Sequence, residues 1–215
     1  MSLPLLLKET NRDLVDLTVD DYVVNVIYEK LGYLSGQPFT IHIFIGAVPD
    51  PSMVPYSFQR DGATLVGEVH NFTSRSSDCP NCANQEEERV LATGRVTLTN
   101  ALITRWKNQV VHSPQDNIAQ GATVLNSMKP EDVVKFLTGN LHWRVTSAGG
   151  LVDPEKVAGL KVSLAVGKAD HFRDPTKLSR FYGYKGAFEP TKGRPGGAVR
   201  EDGMYAEGRE YRVGE

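Results

Sequence analysis

The sequence predicts a mainly β protein, an antiparallel β-sandwich or barrel of about six or seven strands with one or two short helices. Three observations carry this expectation. Runs of β-branched and aromatic residues recur along the first two thirds of the chain. One of them alternates strictly in period two, the repeat of a pleated strand with one buried face. Segments rich in Gly, Pro and Ser separate the runs and read as turns.

The first strand is expected over Asp21–Lys30 ("DYVVNVIYEK"). The second, Phe39–Val48, sets Phe39, Ile41, Ile43 and Ile45 on one face and Thr40, His42 and Phe44 on the other. The turn formers of "LGYLSGQP" between them predict a hairpin. Further strands are expected at Ala63–Phe72, Gly94–Ile103, His142–Ser147 and Gly159–Ala169. One helix is predicted over Pro130–Asn140. Proline suits its first turn, Glu131 and Asp132 favour the positive end of the dipole, and Val133, Val134, Phe136 and Leu137 form an apolar stripe. A second short helix is expected from Asp174-Pro175 through "TKLSRF".

Two segments read as irregular. Thr73–Glu88 is polar and ends in an acidic run, and residues 182–215 are glycine-rich with balanced charges, which predicts a flexible tail. Residues 1–20 are read as an N-terminal extension.

With 40% hydrophobic and 23% charged residues and a net charge of −2, nothing draws the chain to nucleic acid or a membrane surface. No apolar run is long enough to span a bilayer. The apolar stretch Leu3–Leu7 is too short for a secretory signal, so an intracellular, cytoplasmic and reducing setting is expected, with free or metal-bound thiols. The sequon Asn71-Phe72-Thr73 is then a chance match.

Both cysteines lie in "SSDCPNC", as Cys79 and Cys82. A redox dithiol is disfavoured, because the preceding segment is polar, Asp78 and Glu86–Glu88 are acidic, and no βαβ pattern surrounds it. Structural zinc needs four ligands, yet His42, His70, His112, His142 and His171 are scattered, with only His70 near the cysteines. Cu(I) accepts a low-coordinate pair of thiolates, which a single C-x-x-C supplies. A loop with incidental thiols remains open beside it.

Catalytic motifs are absent: no nucleophile elbow, phosphate-binding glycine loop or H-E-x-x-H. Asp170-His171 reads as a charged turn rather than an acid–base pair, and Trp106 and Trp143 as packing residues.

Four ordered blocks, "DYVVNVIYEKLGYLSGQPFTIHIFIGAVP", "GRVTLTNALI", "PEDVVKFLTGNLHWRV" and "LKVSLAVGKADHFRDPTKLSRF", resemble the C-terminal domain of fungal tyrosinases, over about residues 21–181. The resemblance implies a β domain that follows a type-3 copper catalytic domain and covers its dicopper site, giving latency in an enzyme of melanin biosynthesis. It implies a copper-delivering pair at Cys79 and Cys82, and a substrate-like plug. Phe72 is the expected plug, with Tyr56 and Phe58 as alternatives. The implied partner is a tyrosinase catalytic domain. The six copper-binding histidines of that domain are absent, so no monophenol monooxygenase activity is expected of this chain alone. An orphan β-sandwich binding module, a fragment carrying the tyrosinase name by inheritance and a small dithiol oxidoreductase are the competing readings.

Overall fold

A computed structural model describes residues 17–48, 65–111 and 124–202. Eight strands form two antiparallel four-stranded sheets, ordered β4-β1-β7-β8 and β3-β2-β5-β6. The strands are β1 Leu17–Glu29, β2 Phe39–Ile45, β3 Leu65–Asn71, β4 Leu91–Thr97, β5 Leu141–Ser147, β6 Gly150–Val152, β7 Lys161–His171 and β8 Arg180–Ala187. The helices are α1 Pro80–Glu87, α2 Thr99–Val111 and α3 Pro130–Asn140. This is the expected sandwich; neither sheet closes into a barrel.

The core lies between the sheets. Tyr22, Val24, Val26 and Tyr28 of β1 face Phe39, Ile41, Ile43 and Ile45 of β2, joined by Val145 of β5 and Leu164 of β7. The period-two reading of β2 holds for its inner face, but the expectation of a single buried face does not: of the residues on the other face, His42 and Phe44 are buried and only Thr40 is partly open. α3 has the predicted bounds, and Val133, Val134, Phe136 and Leu137 are all buried. Each such side chain contributes about 1.5–3 kcal/mol through removal from water. Asn140 closes the helix: its side-chain amide donates to Phe136 O at 2.8 Å, while Gly46 N donates to Asn140 O at 2.7 Å.

The two sheets meet most closely where β3 lies against β4. A Cβ on Gly67 would sit 2.4 Å from Val96 Cγ1, and one on Gly94 would sit 2.4 Å from Val69 Cγ1. Each glycine thus receives the valine of the opposite strand, which no larger residue permits at that spacing.

Several expectations are corrected. β1 and β2 do not form a hairpin, because the 30–38 segment carries the chain from one sheet to the other and β1 instead pairs with β4 and β7. The strand expected over Gly94–Ile103 ends at Thr97, and α2 begins at Thr99. Leu98, Leu102 and Trp106, spaced by four, pack inward, which is a helical repeat that the β-branched residues around it obscured. No helix forms over 174–179. Asp174 instead accepts from Thr176 N at 3.0 Å in a turn, and β8 follows. The flexible tail expected from Tyr182 is replaced, as far as Asp202, by β8 and a packed segment. There Ala198 is buried, Trp143 Nε1 donates to Pro195 O at 2.9 Å, and Arg194 donates to the Leu141 and Thr138 carbonyls. Glycine richness here reflects turns, such as those at Gly193 and Gly196 with positive φ, rather than lack of structure.

Candidate functional site

The candidate residues gather at one end of the sandwich, around the last residues of β1. Lys30 links them. Its carbonyl accepts from Asn71 Nδ2 at 2.9 Å, and its ammonium donates to Gln85 Oε1 of α1 at 2.9 Å. One residue thereby ties the segment bearing Phe72 to the helix bearing the cysteines.

Phe72 follows the last residue of β3 and is 84% exposed. The residues on either side of it are held down: Asn71 by Lys30, and Thr73 by donation from its hydroxyl to Gly36 O at 2.7 Å. Gly36 lies at φ 97°, and a Cβ there would meet Ser74 O at 2.5 Å, so this turn admits glycine alone. The Phe72 ring stacks on His70, with centroids 5.5 Å apart and planes at 27°. It is an aromatic held in place yet facing water. In the neighbouring turn, Leu34 adopts φ 43° and is 66% exposed. It borders a cavity of about 160 Å3 lined also by Glu29, Leu31, Gln85, Glu86 and Arg89.

Beneath Phe72 the outer face of the second sheet carries a polar chain. His70 Nδ1 meets Thr40 Oγ1 at 3.0 Å and its Nε2 lies 3.7 Å from Glu68. The same carboxylate lies 2.6 Å from His42 Nδ1, while His42 Nε2 meets Thr146 Oγ1 at 2.8 Å. Since a carboxylate only accepts, Nδ1 of His42 carries the proton and Nε2 accepts from Thr146. His42 is 5% exposed, and burial holds it below the ordinary imidazole value even though Glu68 pulls the other way. Desolvation outweighs the pull of the Glu68 carboxylate, so the folded protein binds this proton less tightly than water-exposed imidazole does.

The sign of the resulting pH effect is fixed. The unfolded chain takes up this proton at a higher pH than the folded protein, so the stabilisation is complete above the ordinary value of 6.5 and is lost as pH falls through the lowered folded value. His142, also lowered by burial and then by Arg194, acts in the same direction. Thermal melts between about pH 7.5 and pH 5 are expected to show falling Tm, with a shallower slope in His42→Gln. An unchanged slope in the variant would exclude His42 as a source.

The cysteine segment differs from the irregular loop expected. Cys79 is the residue before the first turn of α1, and its sulfur accepts from Cys82 N at 3.2 Å. Pro80 occupies the first turn, where a missing N–H costs nothing. The Cys79 thiol is held below its ordinary value, first by the Cys82 side chain and then by its N–H, with Lys30 assisting. Cys82 is pushed up, chiefly by its hydrogen bond with Cys79. Sequence reasoning missed α1 because the helix buries none of its side chains and so leaves no apolar period. The usable signal was Pro80 followed by Ala83, Gln85, Glu86 and Glu87, all tolerant of or favourable to helix.

Of the sequence-derived candidates, Phe72, Cys79 and Cys82 come together at this end. His70 packs under Phe72, and none of its described contacts involves a cysteine. Tyr56, Phe58 and His112 lie outside the described residues. Asp170 and His171, adjacent in a strand, bond to different neighbours: Asp170 accepts from Thr18 and Tyr182, and His171 meets Ser179. They form no dyad. Among the described residues no group of three or more His, Cys, Asp or Glu side chains is arranged to hold a metal, and no helix is long and apolar enough to cross a membrane. Lys30, Leu34, Asn71 and Thr73 were not singled out by the sequence; their roles come from contacts between distant segments.

Fold and site define a β-sandwich domain that carries an exposed aromatic and a dithiol at one end. The chain belongs to the tyrosinase C-terminal domain family, whose model matches residues 21–164. It is 33% identical over 148 residues to a Neurospora crassa tyrosinase, covering 67% of this chain and 18% of that protein. It is 34% identical over 99 residues to an Aspergillus fumigatus tyrosinase, covering 41% of this chain and 14% of that one. The chain thus spans less than a fifth of the length of these curated relatives. Among solved structures, recombinant mushroom tyrosinase aligns over 80% of this chain and 25% of its own, with a TM-score of 0.45 and 15% identity. Holo-protyrosinase from Aspergillus oryzae aligns over 81% and 23%, with a TM-score of 0.40 and 20% identity.

Proposed function

We propose that this domain docks on a tyrosinase catalytic domain and shields its dicopper site, with Phe72 as the residue that fills the substrate pocket. One observation carries the reading: Phe72 is anchored at both neighbours yet exposed, and Lys30 ties that anchor to the helix bearing the cysteines. A solvent-facing phenyl ring has the shape of a phenol without the hydroxyl that reacts, so it suits a pocket made for phenols. Leu34, exposed in the neighbouring turn, would extend the apolar contact that Phe72 offers. On this reading the chain has no oxidase activity by itself.

Cys79 and Cys82 fit Cu(I): two partly exposed thiols one helical turn apart, with the Cys79 thiol held below its ordinary value. When bound, the ion would be passed to the catalytic histidines of the partner. The chain's own part is to present the pair at the docking end.

Adding the purified chain to an activated fungal tyrosinase is expected to inhibit it and to yield a complex; neither occurring would sink the docking reading. Anaerobic titration should show about one equivalent of Cu(I) bound, lost in the Cys79→Ser/Cys82→Ser variant. Undiminished binding by that variant would refute the thiol assignment.

A further inference from the structure

The fold changes two of the features that set redox chemistry aside in the sequence, while Asp78 still adjoins Cys79. Cys79 does open a helix, and the acidic run Glu86–Glu88 lies at the opposite end of that helix, about 10 Å along its axis. Cys82 stands one turn on from Cys79, on the same face, and its N–H donates to the Cys79 sulfur at 3.2 Å. Lys30 is the nearby cation. Both sulfurs are partly open to solvent, and α1 buries nothing that closing a bond would disturb. Closure brings the two sulfurs to about 2.05 Å.

We infer that Cys79 and Cys82 form a reversible redox switch, with Cys79 as the attacking thiol, Cys82 as the resolving thiol, and a low-molecular-weight disulfide of the glutathione type as the oxidant. The Cys79 thiolate attacks one sulfur of the oxidant, forming a mixed disulfide and releasing one small-molecule thiolate. The Cys82 sulfur, losing its proton to solvent, then attacks the Cys79 sulfur. The Cys79–Cys82 bond forms as the second small-molecule thiol leaves. Two electrons pass from the dithiol to the oxidant, so one disulfide is made and one is broken. The order of attack follows from the contact: the Cys82 N–H donates to the Cys79 sulfur and so supports negative charge there.

A consequence rests on the copper reading above: the closed form has no thiolate to offer Cu(I), so copper loading becomes conditional on a reducing environment. The switch itself does not depend on copper.

The test uses the full chain in mixtures of reduced and oxidised glutathione, quenched with acid and analysed by intact mass and thiol alkylation. Wild type is expected to lose two hydrogens per chain and retain no glutathione. Cys82→Ser should retain one glutathione, at Cys79, whereas Cys79→Ser should react about tenfold more slowly. A wild type that stays reduced in oxidised glutathione, or that keeps a glutathione adduct without closing, overturns the switch. Equal rates for the two single variants overturn the assigned order. Cu(I) titration of the reduced chain separates the two ideas: copper binding without disulfide closure removes only the switch, and closure without copper binding removes only the copper reading.

Discussion

Phe72→Ala is expected to weaken inhibition of a tyrosinase catalytic domain by on the order of thirty- to a thousand-fold, the range for losing a central aromatic anchor worth about 2–4 kcal/mol. The ring is 84% exposed in the isolated domain, so the substitution removes no core packing and Tm should stay put. That separation makes the result informative: a loss of inhibition at constant Tm can only come from the interface. Leu34, on the adjoining turn, gives a comparison at the edge of the same surface. Its loss should matter less, because rim contacts contribute little compared with a ring seated in a pocket. Inhibition by Phe72→Ala equal to that of wild type would remove Phe72 as the plug and leave Tyr56 and Phe58 to be tested.

Gly94→Val is expected to destabilise the fold strongly. Its Cβ would lie 2.4 Å from Val69 Cγ1, and valine is too short and stiff at χ1 to swing away. Overpacking of this kind costs about 1–3 kcal/mol, and here either the valine or the strand backbone must give. Gly94→Ala should be milder, and combining it with Val69→Ala should recover part of the loss, because the neighbour then yields the space. The checks are urea midpoints for the two single variants and the pair. Strict additivity would mean that the clash is not the source. Gly67 and Val96 form the reciprocal contact and should behave alike.

How much of this was legible beforehand varies with the reach of the interactions involved. α3 was readable to its ends, since Pro130, the acidic first turn and the stripe from Val133 to Leu137 are local signals that agree with one another. β2 was readable because its alternation is strict, although the fold buries His42 and Phe44 on its other face as well. The β1–β2 connection was not: turn formers mark where a chain bends, but not which sheet it bends toward. α1 was hidden for a different reason. An exposed helix has no hydrophobic repeat, and its polar residues look like those of a loop. α2 was obscured by β-branched residues whose preference gave way to the burial of Leu98 and Leu102. Phe72, Cys79 and Cys82 were named from the sequence, but the residue that unites them, Lys30, was not. Its partners lie 41 and 55 positions away, and no local pattern encodes such contacts.

The pairing of β1 bears on how the chain is made. This strand has β7 along one side, with Asn25 and Ser163, 138 positions apart, facing each other. During synthesis, at about 5–20 residues per second, β1 must therefore wait on the order of ten seconds for its neighbour to emerge from the ribosome. Through that interval its inner face, Tyr22, Val24, Val26 and Tyr28, has no complete sheet to rest in. The nascent chain thus carries an unpaired, strand-prone segment while other such segments emerge beside it.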